Sequence, residues 1–211
     1  RGTRVKFDRE RLHHFIIFMV GTGLRVDEAL SLEWEDIRSI DREKVVNRQA
    51  TETTVSAYGK DFLSQLERYY LQINVGKSKT VPHTAYGTGS AYFAYHNLIK
   101  LYSNNPQFNC KVGEGSIFKL HSFREGLNSL LDEADLKFEK LGDSRVKRDS
   151  KSFRHTFIQF MLNKGMSSTA IAKMCGTSTE MIDKYYTSNM ALDTMMDTFN
   201  KVKGGHLKIV S

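Results

Sequence analysis

Paired cysteines are missing from this chain. The two it has, Cys110 and Cys175, lie far apart, with neither a CxxC spacing nor paired histidines beside them. That pattern argues against structural zinc and points to a reduced intracellular compartment. No apolar run approaches the ~20 residues a membrane-spanning helix needs, and no signal-peptide pattern opens the sequence. Internal repeats and low-complexity tracts are absent as well. The first residue is Arg1 rather than methionine, from which we expect a fragment whose upstream part has been removed.

What is present is a basic, globular composition. The 211 residues are enough to bury a full core as one domain. Lys and Arg number 31 against 24 Asp and Glu, a net charge of +7. An excess of that size favours a polyanionic partner, most simply nucleic acid, although many ordinary proteins carry as much.

Periodicity sketches an α+β arrangement, mainly helical around one minor sheet. Asp8 is expected to cap a helix whose apolar stripe is Leu12, Phe15, Ile16 and Met19. Gly21 and Gly23 break it, and a short helix follows with Val26, Ala29 and Leu30. Between about residues 41 and 82 the helical period fades and β-formers appear: Val45-Val46, Thr51 to Val55, Tyr69 to Val75 and Thr80-Val81. A small antiparallel sheet is expected there, with a turn near Gly76-Lys77-Ser78 and a short helix over residues 61–67. Beyond Gly89 the stripes are helical to the end, except for the charged stretch 137–150, which reads as an exposed loop.

Three segments carry chemistry. Thr22 to Glu28 contains Arg25. Lys151-Ser152-Phe153-Arg154-His155-Thr156-Phe157 contains Arg154. Cys175-Gly176-Thr177-Ser178 is followed by Tyr185-Tyr186. Guanidinium groups stay charged and present a planar fork of donors, which suits the charge that builds on a phosphate's oxygens during attack at phosphorus. A phenol with an unperturbed pKa of about 10 is a weak nucleophile until cations or a base help its proton leave. Glu28, one turn after Arg25, is spaced to orient that guanidinium. His155 reads as a hydrogen-bonded structural residue, and Glu33, Glu35 and Asp36 as a solvated acidic stretch rather than a magnesium site. Periodicity leaves Tyr185 and Tyr186 both open.

Taken together and in this order, the three segments resemble the tyrosine recombinases, the phage integrase family. The resemblance implies a DNA breaking-rejoining catalytic core with a small antiparallel sheet, residues 1–211 forming the catalytic domain without the family's upstream DNA-gripping domain. It implies a site-specific recombinase or integrase that works through a covalent 3′-phosphotyrosine, without cofactor, ATP or metal. Double-stranded DNA is the implied partner, four protomers assemble on paired sites, and the place of action is the cytoplasm, at the nucleoid. The family's tyrosine lies nine positions after the His of its Gly-His-Ser motif. Thr177 stands at that His position, which selects Tyr186. The family's hairpin lysine, which protonates the leaving 5′-oxygen, corresponds to Lys77, with Lys79 and Lys60 as competitors.

The chain departs from the family twice. Lys151 replaces the histidine of His-x-x-Arg, a permanent cation where a titrating group usually stands. Thr177 replaces a histidine or tryptophan, and Thr177 to Glu180 also reads as a capping box with Thr177 at the N-cap. The better literal match, His121-Ser122-Phe123-Arg124, lies too far from the tyrosine and reads as an amphipathic helix start. Two alternatives stay open on the sequence: a type IB topoisomerase-like relaxer, and a catalytically silent DNA-binding module. The segment after Met190 is expected to dock on a neighbouring protomer.

Overall fold

A computed structural model describes residues 2–41, 69–76, 82–118, 123–141 and 144–186. The chain opens with α1 (Gly2–Thr22), whose buried side Phe7, Phe15, Phe18 and Met19 provide. Asp8 does not cap this helix. The helix starts before it, and Asp8 sits one turn after Arg4 and one turn before Arg11, accepting from both. α1 ends where Gly23 takes φ +66°, with the Gly23 N–H closing on the Met19 carbonyl. Then come the short α2 (Val26–Ser31) and a 3-10 turn over Trp34–Asp36, where Asp36 accepts from the Glu33 N–H at 2.9 Å.

Three antiparallel strands lie side by side in the order β1 (Ile37–Asp41), β2 (Tyr69–Val75), β3 (His83–Gly87). Ile37 faces Ile73, which faces Ala85 on the other side. Alternation sends Tyr69, Leu71, Ile73 and Val75 of the central strand inward. α3 (Gly89–Ser103) covers that face and Tyr92 stacks on Tyr69, with ring centroids 5.1 Å apart. The connection between β2 and β3 includes 77–81, outside the described residues. Lys77 and Lys79 are there. Lys60, the strands expected over 45–55 and the helix expected over 61–67 also lie outside.

After α4 (Phe123–Glu133) the charged stretch is not the expected loop. It folds into a hairpin, β4 (Phe138–Leu141) against β5 (Ser144–Lys147), with Phe138 opposite Lys147. Local strand pairing accounts for it: exposed Phe138 and Val146 alternate with charged residues, so no core burial is needed to set the register.

The chain continues through α5 (Lys151–Asn163), α6 (Ser168–Cys175) and α7 (Thr179–Tyr186). These three helices share a second apolar cluster of Phe157, Ile158, Met161, Leu162, Ile171, Ala172, Cys175 and Ile182. Burying each large side chain here contributes about 1.5–3 kcal/mol. α5 rests on the end of α1, and α6 rests on β3. Among the described residues no helix is long and apolar enough to cross a membrane.

Candidate active site

Two left-handed glycines bring the motif segments together. A Cβ on Gly23 would stand 2.2 Å from Cδ1 of Phe157, so only glycine allows α5 to pack on the end of α1. Gly176, at φ +58°, ends α6 and faces the His83 ring of β3, where a Cβ would meet Cε1 at 2.5 Å. Through these contacts α5 meets the loop that precedes Arg25, and the end of α6 meets both arginines.

Arg25 is the N-cap residue of α2. Its Nη1 donates to Oε1 of Glu28 at 2.8 Å, and its backbone N–H donates to Oε2 at 2.8 Å. Glu28 is 1% exposed at the side chain and Arg25 38%, so a buried carboxylate holds a part-exposed guanidinium. Arg25 Nη2 reaches the Gly176 carbonyl at 3.1 Å. Arg154 lies in the first turn of α5. Its Nη1 donates to the Gly23 carbonyl at 3.0 Å and its Nη2 to the Cys175 carbonyl at 2.6 Å. Burial is the main influence drawing this guanidinium below its ordinary pKa, and Arg25 acts in the same direction. Each arginine is thus tied to a carbonyl of another motif segment, and the two meet at the adjacent carbonyls of Cys175 and Gly176.

The phenol of Tyr186, the last residue of α7, contacts His155 Nδ1 at 2.5 Å. Burial raises the Tyr186 pKa, while Arg154 works against that rise. Tyr185 is 52% exposed and has the Lys184 ammonium over its ring. The Cys175 thiol, buried beneath the site, is pushed up to about 11, with desolvation as the chief cause.

Arg25, Lys151, Arg154, Thr177 and Tyr186 all line one cleft of about 880 Å³, together with His155, Tyr185 and Arg124. Of the residues selected from the sequence, Lys77 alone lies outside the described residues. Lys151 opens α5, with Asp149 accepting from its backbone N–H at 2.7 Å. Thr177 is not the N-cap of α7. Ser178 takes that role, accepting from the Met181 N–H, because the turn at Gly176 sends the Thr177 N–H back to Ala172. The Thr177 side chain is therefore not used in capping.

Two further residues line the cleft, although their sequence context pointed to structural parts. His155 is hydrogen-bonded as expected, but to the phenol. Arg124 belongs to the segment set aside as a helix start: α4 does begin there, with Phe123 buried, yet Arg124 reaches the cleft. The available signal was adjacency: His155 follows Arg154 at the opening of the same helix.

The model of the phage integrase family matches residues 4–191. The chain belongs to the phage integrase family. Among solved structures, this integrase-family chain is similar to the Tn1549 transposon integrase in complex with transposon right end DNA, at 17% identity and a TM-score of 0.53. It is similar to XerA recombinase at 14% and 0.55, and to XerH site-specific recombinase bound to difH substrate at 15% and 0.54. Those alignments cover 92%, 92% and 90% of this chain but only 59%, 57% and 46% of the others. At such identities the likeness is one of fold: the fold is that of a tyrosine recombinase catalytic domain. No curated protein sequence matches the chain.

Proposed function

We propose that this chain is the catalytic domain of a site-specific DNA recombinase that cuts and rejoins strands through a 3′-phosphotyrosine. One observation carries the reading: Arg25, Arg154 and Tyr186, from three distant segments, line a single cleft. A phosphodiester seated there receives guanidinium donors on its non-bridging oxygens while Tyr186 Oη attacks phosphorus. The Oη–P bond forms, the P–O5′ bond breaks, and the 5′-oxygen takes a proton, which we assign to Lys77. Lys151 adds positive charge beside the phosphate and Thr177 a hydroxyl donor. A 5′-hydroxyl of a second duplex then reverses the step, so the ester conserves the bond energy without ATP or metal.

The partner in this reading is double-stranded DNA, and four protomers assemble on two sites at the nucleoid. Family membership, the basic composition, and the DNA-bound state of the similar Tn1549 and XerH structures support the DNA partner. The test is a duplex nicked beside its cleavage point, its sequence selected from a randomised pool by binding to the protein. Loss of the short fragment makes cleavage irreversible. The native protein is expected to accumulate a covalent DNA adduct and Tyr186→Phe none. Tight binding without an adduct would contradict the reading.

A further inference from the structure

An attacking phenol must give up its proton, and most of the cleft cannot take it. Arg25, Arg124, Lys151 and Arg154 all line the cleft, and guanidinium and ammonium groups have no acceptor. Asp27 lines it too, but the phenol's hydrogen bond goes to His155 Nδ1, at 2.5 Å. The two rings lie 5.3 Å apart at 34°. His155 follows Arg154 on α5, whose guanidinium is pinned to Gly23 and Cys175, so the imidazole is held in register with the phosphate donors.

Resting on Tyr186 as nucleophile, we propose that His155 is the general base of the reaction: Nδ1 takes the phenolic proton as Oη attacks, and returns it on rejoining. In the cleavage step the Oη–H bond breaks and an Nδ1–H bond forms, the Oη–P bond forms, and P–O5′ breaks with protonation of O5′ by a separate acid. Accepting at Nδ1 requires the tautomer with its proton on Nε2. Burial, Arg154 and Lys151 hold the imidazole below its ordinary pKa, with Asp149 opposing. That direction favours the uncharged ring, the form with a lone pair to offer. The groups facing it are Arg154, Lys151 and Asp149 from α5 and its leading turn, and Tyr186 from α7. A bound phosphate adds negative charge to this set and raises the imidazole's affinity for a proton. Substrate thus strengthens the base at the moment it is needed.

The test is single-turnover cleavage of the nicked duplex against pH, in the full-length protein. His155→Asn keeps an acceptor near the Nδ1 position but cannot hold a proton; His155→Ala removes both. Both are expected to lose about 10²–10⁴-fold at neutral pH, with the deficit shrinking as pH rises toward ionisation of the phenol. Affinity for the uncut duplex should stay at the native value. A 5′-bridging phosphorothiolate, whose sulfur leaves without a proton, should not restore either variant. Lys151→Met should keep the dependence on one titrating base and shift its inflection upward, because Lys151 is one of the charges that depress the imidazole. Native rates for His155→Asn with loss only in His155→Ala would reduce His155 to a positioning residue and overturn the proposal. So would rescue by the phosphorothiolate, or a pH dependence that vanishes in Lys151→Met while persisting in His155→Asn. An active native protein with unaffected His155 variants refutes the base alone, whereas a native protein that forms no adduct refutes the nucleophile and the base with it.

Discussion

Adding one methyl group at Gly23 probes how the two arginine-bearing segments are joined. Gly23 has φ +66°, and its new Cβ would stand 2.2 Å from Cδ1 and 2.8 Å from Cγ of Phe157. Phe157 is 1% exposed, so its ring has nowhere to swing. The left-handed backbone costs an L-residue about 1–2 kcal/mol. Forcing a methyl into packed core costs about 1–3 kcal/mol. The sum is about 2–5 kcal/mol, and at about 2–4 °C of Tm per kcal/mol for a chain of this size, Gly23→Ala should melt roughly 4–20 °C lower. Gly113 supplies the control: its φ is +85° with nothing within 4 Å of a Cβ, so Gly113→Ala carries only the backbone cost. The Gly23 carbonyl also anchors Arg154. Adduct formation by Gly23→Ala should therefore fall further than its folded fraction explains. Thermal melts of both variants, followed by suicide-substrate trapping below their Tm, decide the matter. A Gly23→Ala protein melting within 2 °C of native, or no lower than Gly113→Ala, would refute the reasoning.

Arg154→Lys replaces a fork that spans two carbonyls with a single ammonium; cleavage should drop about 10²–10³-fold while DNA affinity changes little, as read by single-turnover trapping beside a binding titration. Ser178→Ala removes the N-cap of the helix that carries Tyr186. Urea unfolding should report a loss of about 0.5–2 kcal/mol, and an unchanged midpoint would count against that cap. Alkaline stability should depend on Cys175. An unfolded thiol ionises near its ordinary pKa of about 8.5, but the buried one keeps its proton to about 11. Between those values the unfolded state binds fewer protons, so stability falls as pH rises, by about 1.4 kcal/mol per unit. Cys175→Ala should flatten that decline in urea unfolding followed from pH 8 to 11; an identical slope would refute it.

Much of this molecule was legible in its residues, and the misses share a cause. Phe15 and Met19, the inward residues of the Tyr69–Val75 strand, and Tyr92, Tyr95, Leu98 and Tyr102 are buried as their periods predict, while Leu12, Ile16 and Ile99 of the same stripes are only partly buried against the core. β1 escaped notice because Arg38 and Ser39 interrupt it, and pairing with β2 rather than its own pattern defines it. The 138–147 hairpin escaped because charged residues hid its alternation. At the site, the Arg25–Glu28 pair follows from helical spacing alone. The carbonyls that hold Arg154 and the imidazole that meets Tyr186 do not, since both depend on how α5, α6 and α7 pack. Thr177 and Ser178 were exchanged at the cap because only the φ of Gly176 reveals where α6 ends.

The most direct examination of the whole account is to digest the trapped protein–DNA adduct with nuclease and protease and locate the residual nucleotide by mass spectrometry. A phosphodiester on the Tyr186 oxygen is the predicted product, and its yield should collapse when either Arg25 or Arg154 becomes alanine. A nucleotide found on Tyr185, or an undiminished yield without those guanidinium groups, would contradict the claim that all three side chains act on one phosphorus.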